Sequence, residues 1–236
     1  MSDKKSKSLV QVFARKLNKA LRPLGIMVVR AHPLDLMRAD NRFMMRFLYF
    51  ARCFDQMRNL GGDIVECGVG AGRTLLSFAY LMKYKGGDNT LWGYDSFEGF
   101  PEPSEHDRSF RNPKKGQNVT KMEDVLDLLR RSGIGEDFLS SRLRLVKGFF
   151  EKTLHEYPGR PIALLHVDVD LYRSYLTVLE ELYPRVLPGG VILFDEYGEN
   201  KKWPGARRAI EEYLGDRIRL LRSDEQTGKY FLVKDG

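Results

Sequence analysis

Two apolar runs, each cut short by acids, limit what this chain can fold into more than anything else in it. Pro161–Asp170 reads PIALLHVDVD and Val191–Glu196 reads VILFDE. Each is short, rich in leucine and β-branched residues and nearly free of alternation, the pattern of a strand buried on both faces of a parallel sheet. Between them Tyr172–Val186 reads as a helix, and Leu187-Pro-Gly-Gly190 as its stop and re-entry turn. That is a βαβ unit, so its two strands are expected to be parallel neighbours. Ligands of open α/β sheets sit at the carboxyl ends of the strands. Asp168, Asp195 and Glu196 are therefore expected to converge there, as hard oxygen ligands suited to Mg²⁺.

A second unit lies upstream. Asp63–Thr74 reads DIVECGVGAGRT: Ile64–Cys67 predicts a strand, Gly68, Gly70 and Gly72 a tight turn, and Leu75–Tyr84 the helix that follows. A strand, glycine turn and helix start make a nucleotide site, because unpaired N–H groups and the helix dipole face the ligand. Arg73 stands where a dinucleotide fingerprint needs its third glycine, which disfavours a dehydrogenase. Thr90–Asp95 predicts the next strand. Its terminal Asp95 either accepts from ribose hydroxyls or caps its own turn, and the glycine turn beside it favours the ribose. The polar loop Ser96–Gly116 is long enough to hang over a ligand as a lid.

The remaining elements follow from periodicity and punctuation. Residues 1–8 read as disordered, and Leu9, Val12, Phe13, Leu17 and Leu21 predict a basic amphipathic helix ended by Pro23 and Gly25. Docking on its own domain or on a twin subunit is favoured over membrane contact, since this helix lacks Trp; a homo-oligomer stays open. Ile26–Val29 reads as extended, and Phe43, Phe47, Ala51, Phe54 and Met57 mark one face of a second helix, packed on the sheet. Thr120 with Glu123 predicts a capping box and a helix over Lys121–Arg131. Leu143–Lys147 predicts the third strand, ending at Gly148-Phe149-Phe150, whose aromatics either stack on an adenine or fill core. His166 reads as a hydrogen-bonding histidine on the face of Asp168. Pro204–Leu214 predicts a helix, and Arg217–Leu221 with Tyr230–Val233 a closing hairpin. Domains are expected as 1–60, an N-terminal tail and helices serving as a lid or dimer region, and 61–236, the ligand-binding domain.

Composition sets outer bounds. Two cysteines in 236 residues, Cys53 and Cys67, argue against a disulfide framework and fit a reducing cytoplasm. No apolar run reaches transmembrane length, and the first residues lack the apolar core of a signal peptide. A net charge of +7 raises nucleic acid as a partner, but no recognition motif accompanies it, and none is expected.

These motifs resemble class I S-adenosylmethionine-dependent methyltransferases, and more narrowly the macrocin O-methyltransferase family of the TylF/MycF type. The resemblance is carried by GDIVECGVGAGRTL, GYDSFEGFPEP, HVDVDLYRSYLTVLEELYPRVLPGG and FDEYG followed by GARRAIEEY, across roughly residues 41–235. It implies an α/β Rossmann-like fold with a mostly parallel seven-stranded sheet, a C-terminal antiparallel hairpin and N-terminal helical additions. It implies a Mg-dependent O-methyltransferase acting on a hydroxyl of a sugar or glycosylated natural product. The alternatives are a phenolic or catechol O-methyltransferase and a non-catalytic cofactor-binding module. The S-adenosylmethionine site would comprise Glu66, Cys67, Gly68, Gly70, Gly72, Thr74, Asp95, Ser96, Gly148, Phe149 and Asp168. The Mg²⁺ ligands would be Asp168, Asp195 and Glu196, with Asp168 also the base. Glu196 departs from the family, where the second acid of that pair is commonly Asp.

Overall fold

The computed structural model describes residues 41–57, 59–158, 161–199 and 201–236, together with residue 17. The N-terminal elements expected over residues 1–29 lie outside the described residues. Contacts divide the chain into units Met1–Asn41 and Arg42–Gly236, and the whole sheet belongs to the second.

Its strands are β1 (Asp63–Cys67), β2 (Leu91–Asp95), β3 (Leu143–Lys147), β4 (Ile162–Val167), β5 (Val186–Phe194), β6 (Arg222–Ser223) and β7 (Tyr230–Val233). They form one sheet in the order β3-β2-β1-β4-β5-β7-β6. The first five pair in parallel, while β7 runs antiparallel to both β5 and β6. Helices are α1 (Asn41–Gln56), α2 (Arg73–Lys85), α3 (Met122–Arg131), α4 (Glu136–Arg142), α5 (Phe150–Thr153), α6 (Tyr172–Leu182) and α7 (Pro204–Leu214).

Strands β1 and β4 are buried at every position, as their unbroken apolar runs require. The sheet separates two cores. On one face Phe50 and Phe54 of α1 pack with Phe78 and Met82 of α2 and Leu129 of α3. On the other, Tyr175 and Leu179 of α6 pack with Ala206 and Ile210 of α7. The chain winds outward from β1 to β3, then returns to lay β4 on the other side of β1. That reversal opens a crevice at the carboxyl ends of β1 and β4.

Local expectations fail in three places. The capping box is absent: α3 starts at Met122 with Lys121 as its cap, and among the described residues the buried Thr120 hydroxyl has no hydrogen-bond partner. Leu187–Gly190 is not a turn but the first half of β5, held there by Gly189 N–H to Lys234 O at 2.7 Å and Lys234 N–H to Gly190 O at 2.9 Å. Arg217–Leu221 is not a strand: Gly215–Leu220 forms a 3₁₀ turn, and β6 keeps only two residues. Arg217 explains this, since its guanidinium donates to the carbonyls of Leu214 and Tyr213 and so closes the end of α7.

Candidate functional site

A cleft of about 320 Å³ opens at the carboxyl ends of β1, β2 and β4. Its first wall is the glycine turn. Gly68 has φ 90°, and a Cβ there would lie 1.8 Å from the carbonyl oxygen of Asp168, so the ends of β1 and β4 touch backbone to backbone. Asp95 is fixed by its own surroundings: Gly70 N–H donates to Oδ2 at 2.9 Å and Phe97 N–H to Oδ1 at 2.8 Å. It therefore caps its turn and still borders the cleft. Of the residues expected at a cofactor, Glu66, Gly68, Gly70, Thr74, Asp95, Ser96, Phe149 and Asp168 line this space. Cys67, Gly72 and Gly148 do not. The Cys67 side chain is buried in the core beneath Val65 and Tyr94, Gly72 lies against Val125 of α3, and Gly148 donates to the Asp95 carbonyl.

Strand β4 supplies the second wall. Glu66 and His166 are each 1 % exposed and meet at 3.3 Å, Oε1 to Nδ1. Burial lowers His166 to about 3, so the ring is neutral, and Nδ1 and Glu66 Oε1 share one hydrogen between them. Among the described residues Glu66 Oε2 has no hydrogen-bond partner, and burial with the nearby charge of Asp168 pushes this carboxyl well above its ordinary range.

Beyond it lie four more acids, just past the ends of β4 and β5. Asp195 points to the α1 side, where Arg46 Nη2 donates to Oδ1 at 2.7 Å and Lys229 Nζ to Oδ2 at 2.8 Å. Burial pushes Asp195 up, but Arg46 and Lys229 outweigh it and hold the carboxyl down at about 2. Glu196 points to the opposite side and touches the Tyr175 hydroxyl, which also lies 2.9 Å from Val167 O. A phenol has one proton for two acceptors, so the protonated carboxyl of Glu196 completes the chain. Burial and the charges of Asp168, Asp195 and Asp170 favour that form. Asp168 is raised to about 7 by burial and by Asp195, and Asp170 to about 8 by burial and by Asp168. Two sets of ligand atoms converge within 4.8 Å: His166, Asp168 and Asp195, and Asp168, Asp170 and Glu196. Asp195 and Glu196 thus fall in different sets that share Asp168.

Arg46, Lys229 and Asp170 escape a reading of sequence alone. The two cations meet Asp195 across separations of 149 and 34 residues, and neither carries a motif. Asp170 had a signal: it stands two residues from Asp168 in HVDVD, on the same strand parity.

The Ser96–Gly116 loop joins the cleft through its stem, where Gly99, Phe100 and Pro101 line it. Its tip is pinned elsewhere. Asp107 is 2 % exposed; its Oδ1 accepts Tyr172 N–H at 2.8 Å and its Oδ2 accepts from Ser104 N–H and hydroxyl. His106 stacks edge-on against Tyr172.

This sheet order, closing hairpin and switch-point cleft define a class I methyltransferase fold. A solved calicheamicin methyltransferase, CalS11, superposes with a TM-score of 0.74 at 26% identity, covering 97% of this chain and 94% of that one. The O-methyltransferase NovP superposes at 0.67 and 24% identity, over 82% and 81%. Residues 44–220 match the family model described as Macrocin-O-methyltransferase (TylF), and the chain belongs to that family. Curated relatives include a demethyldecarbamoylnovobiocin O-methyltransferase of Streptomyces niveus, 32% identical over 66% of this chain. Another is a mycinamicin III 3''-O-methyltransferase of Micromonospora griseorubida, 31% identical over 64%. The matches span 59% and 60% of those relatives' lengths.

Proposed function

We propose that this protein transfers a methyl group from S-adenosylmethionine to a hydroxyl of a sugar or glycosylated small molecule, with a Mg²⁺ ion at the acid cluster. The observation that carries this reading is the single cleft whose one wall is a glycine turn with Asp95 and whose other wall is Asp168 and Asp170. The relatives' names support the acceptor class, since one of them denotes the 4'-O-methyltransferase of a rhamnosyl-tetracenomycin C. The glycine turn and α2 start would cradle the methionine end. Asp95 keeps unused lone pairs for ribose hydroxyls, and the orphaned Oε2 of Glu66 suits a donor such as the cofactor's ammonium.

The donor set fits Mg²⁺. Asp168, Asp170 and Glu196 are hard oxygen ligands short of positive charge: burial raises all three, with the charge of Asp195 adding at Asp168 and that of Asp168 adding at Asp170 and Glu196. Mg²⁺ bound there would supply Lewis acidity, lowering the acceptor hydroxyl's pKa and fixing its oxygen. Asp168 is the base, its carboxyl placed between the glycine turn and the other acids and raised toward neutrality. Phe100 and Phe149 would exclude water from the transfer, both lining the cleft. The buried free thiols Cys53 and Cys67 support a reducing, cytoplasmic setting.

The test is transfer of labelled methyl from S-adenosylmethionine to a panel of glycosides, sugar nucleotides and catechols, with Mg²⁺ or with chelator. Chelator-sensitive labelling of a glycoside or sugar nucleotide is expected. Labelling of catechols alone would overturn the acceptor class, and labelling indifferent to chelator would overturn the metal.

A further inference from the structure

We infer that His166 is a positioning residue for the methyl donor: it holds Oε1 of Glu66 and leaves Oε2 to accept the ammonium of S-adenosylmethionine. This rests on the cofactor part of the proposed function. Glu66 and His166 are cross-strand partners in the parallel pairing of β1 with β4, each at the penultimate position of its strand. Paired residues share a face of the sheet, and here the side chains meet, Oε1 to Nδ1 at 3.3 Å. The ring is confined from two sides. Phe50 of α1 and Phe78 of α2 each meet it nearly perpendicular, at 5.7 Å between centroids. Its other nitrogen, Nε2, lies 4.0 Å from Asp195 Oδ1, beyond hydrogen-bond reach. A ring held in this way fixes Oε1, and with it the direction of the carboxyl.

The oxygen left over points to a ligand. Glu66 lines the cleft. Among the described residues His166 is its only hydrogen-bond partner, and the buried Oε2 has none. A buried carboxylate oxygen left unmet is costly, and a cation brought by the ligand would meet it. Arg46 lines the same space, but its guanidinium bonds Asp195 at 2.7 Å. The imidazole is buried and neutral, so it holds the acid without cancelling its charge toward an incoming ammonium. With an ammonium at Oε2 the carboxyl is ionised, and Nδ1–H donates to Oε1.

The experiment measures, by isothermal titration with chelator present, the affinity of the full chain for S-adenosylhomocysteine and for its analogue lacking the amino group. Thermal melts check folding. The wild type is expected to bind S-adenosylhomocysteine about tenfold or more tighter than the analogue. His166→Phe keeps a ring between Phe50 and Phe78 but cannot hydrogen-bond Glu66. Its preference is expected to fall about fivefold or more, with affinity for the analogue changed by less than about twofold. His166→Asn sets an amide near the position of Nδ1 and is expected to keep the preference. A general disturbance of the cleft would weaken both ligands alike. That result, an undiminished preference in H166F, or equal loss in H166N and H166F would overturn the role of His166 and leave the cofactor reading in place. Should H166F fail to fold, H166Q, whose amide reaches the Nε2 position instead, is read in its stead. A wild type that binds both ligands equally would overturn the role too, and one that binds neither would overturn the cofactor reading with it.

Discussion

The two edges of the sheet both bury acids, and they treat them in opposite ways. At the amino edge, Asp63 at the start of β1 is 0 % exposed. Its carboxylate accepts from Trp92 Nε1 at 2.9 Å and the Tyr157 hydroxyl at 3.1 Å, with Thr90 N–H at 3.4 Å. At the carboxyl edge, Asp168, Asp170 and Glu196 crowd together, and burial, with neighbouring carboxylates, raises all three. Burial of an acid is thus no mark of function, because a strand start with three donors makes it ordinary structure. Burial without neutralisation is the mark, since it persists only where a ligand or proton completes the site.

Exchanging Asp for Asn at each edge breaks the comparison most directly. Asp168→Asn removes the proposed base, and turnover is expected to fall about 10²–10⁴-fold in the labelled-methyl assay. Wild-type turnover would return Asp168 to structural duty. Asp63→Asn turns one accepting oxygen into a donor that faces other donors. It should cost about 1–3 kcal/mol in denaturant unfolding, with turnover per folded molecule unchanged. A catalytic loss without a stability loss at Asp63 would erase the distinction between the edges.

A pH series sharpens it. The folded Asp168 holds its proton up to about 7, above its ordinary 3.8. Below 3.8 both folded and unfolded chains are protonated and no difference arises; as pH rises toward 7, the unfolded chain releases a proton the folded one keeps, so stability falls. His166, lowered to about 3, works the other way and raises stability through roughly that window, but it is present in both proteins and cancels. With chelator present, D168N is therefore expected to gain on the wild type between about pH 4 and 8, at about 2–4 °C of melting temperature per kcal/mol. A difference independent of pH would mean that Asp168 is not strained. Smallest of all, Cys53 and Cys67 should be silent to a thiol reagent until denaturant is added. Both are buried, and burial lifts Cys53 to about 12. Reaction of Cys67 in the native protein would show that the carboxyl edge opens.

What the sequence made legible was whatever short-range pattern controls. The runs IALLHV and VILF could only be buried strands, the glycines of the first turn announced a close approach, and Pro204 started a helix where expected. The failures were decided at long range or by one competing hydrogen bond. Arg46 sits on a helix whose apolar face drew attention away from its polar one, and only the fold shows that it reaches Asp195. The Thr120–Glu123 spacing is a capping box on paper, yet α3 begins one residue too late for Thr120 to serve as its cap. Asp195 and Glu196 look like a pair in one dimension, while in the bend after β5 one meets Arg46 and Lys229 and the other Tyr175.

Asp107 has a consequence for redesign. A Cβ at Gly205 would lie 2.1 Å from Asp107 Oδ1, so the Ser96–Gly116 loop and the first turn of α7 form a lock and its keyhole. A loop transplanted from a relative to change the acceptor would seat only if it brought an acid to that point, and α7 could not gain a side chain at Gly205 without evicting it. Loop and helix start are therefore a two-part fitting: the loop tip cannot be exchanged without its matching helix start.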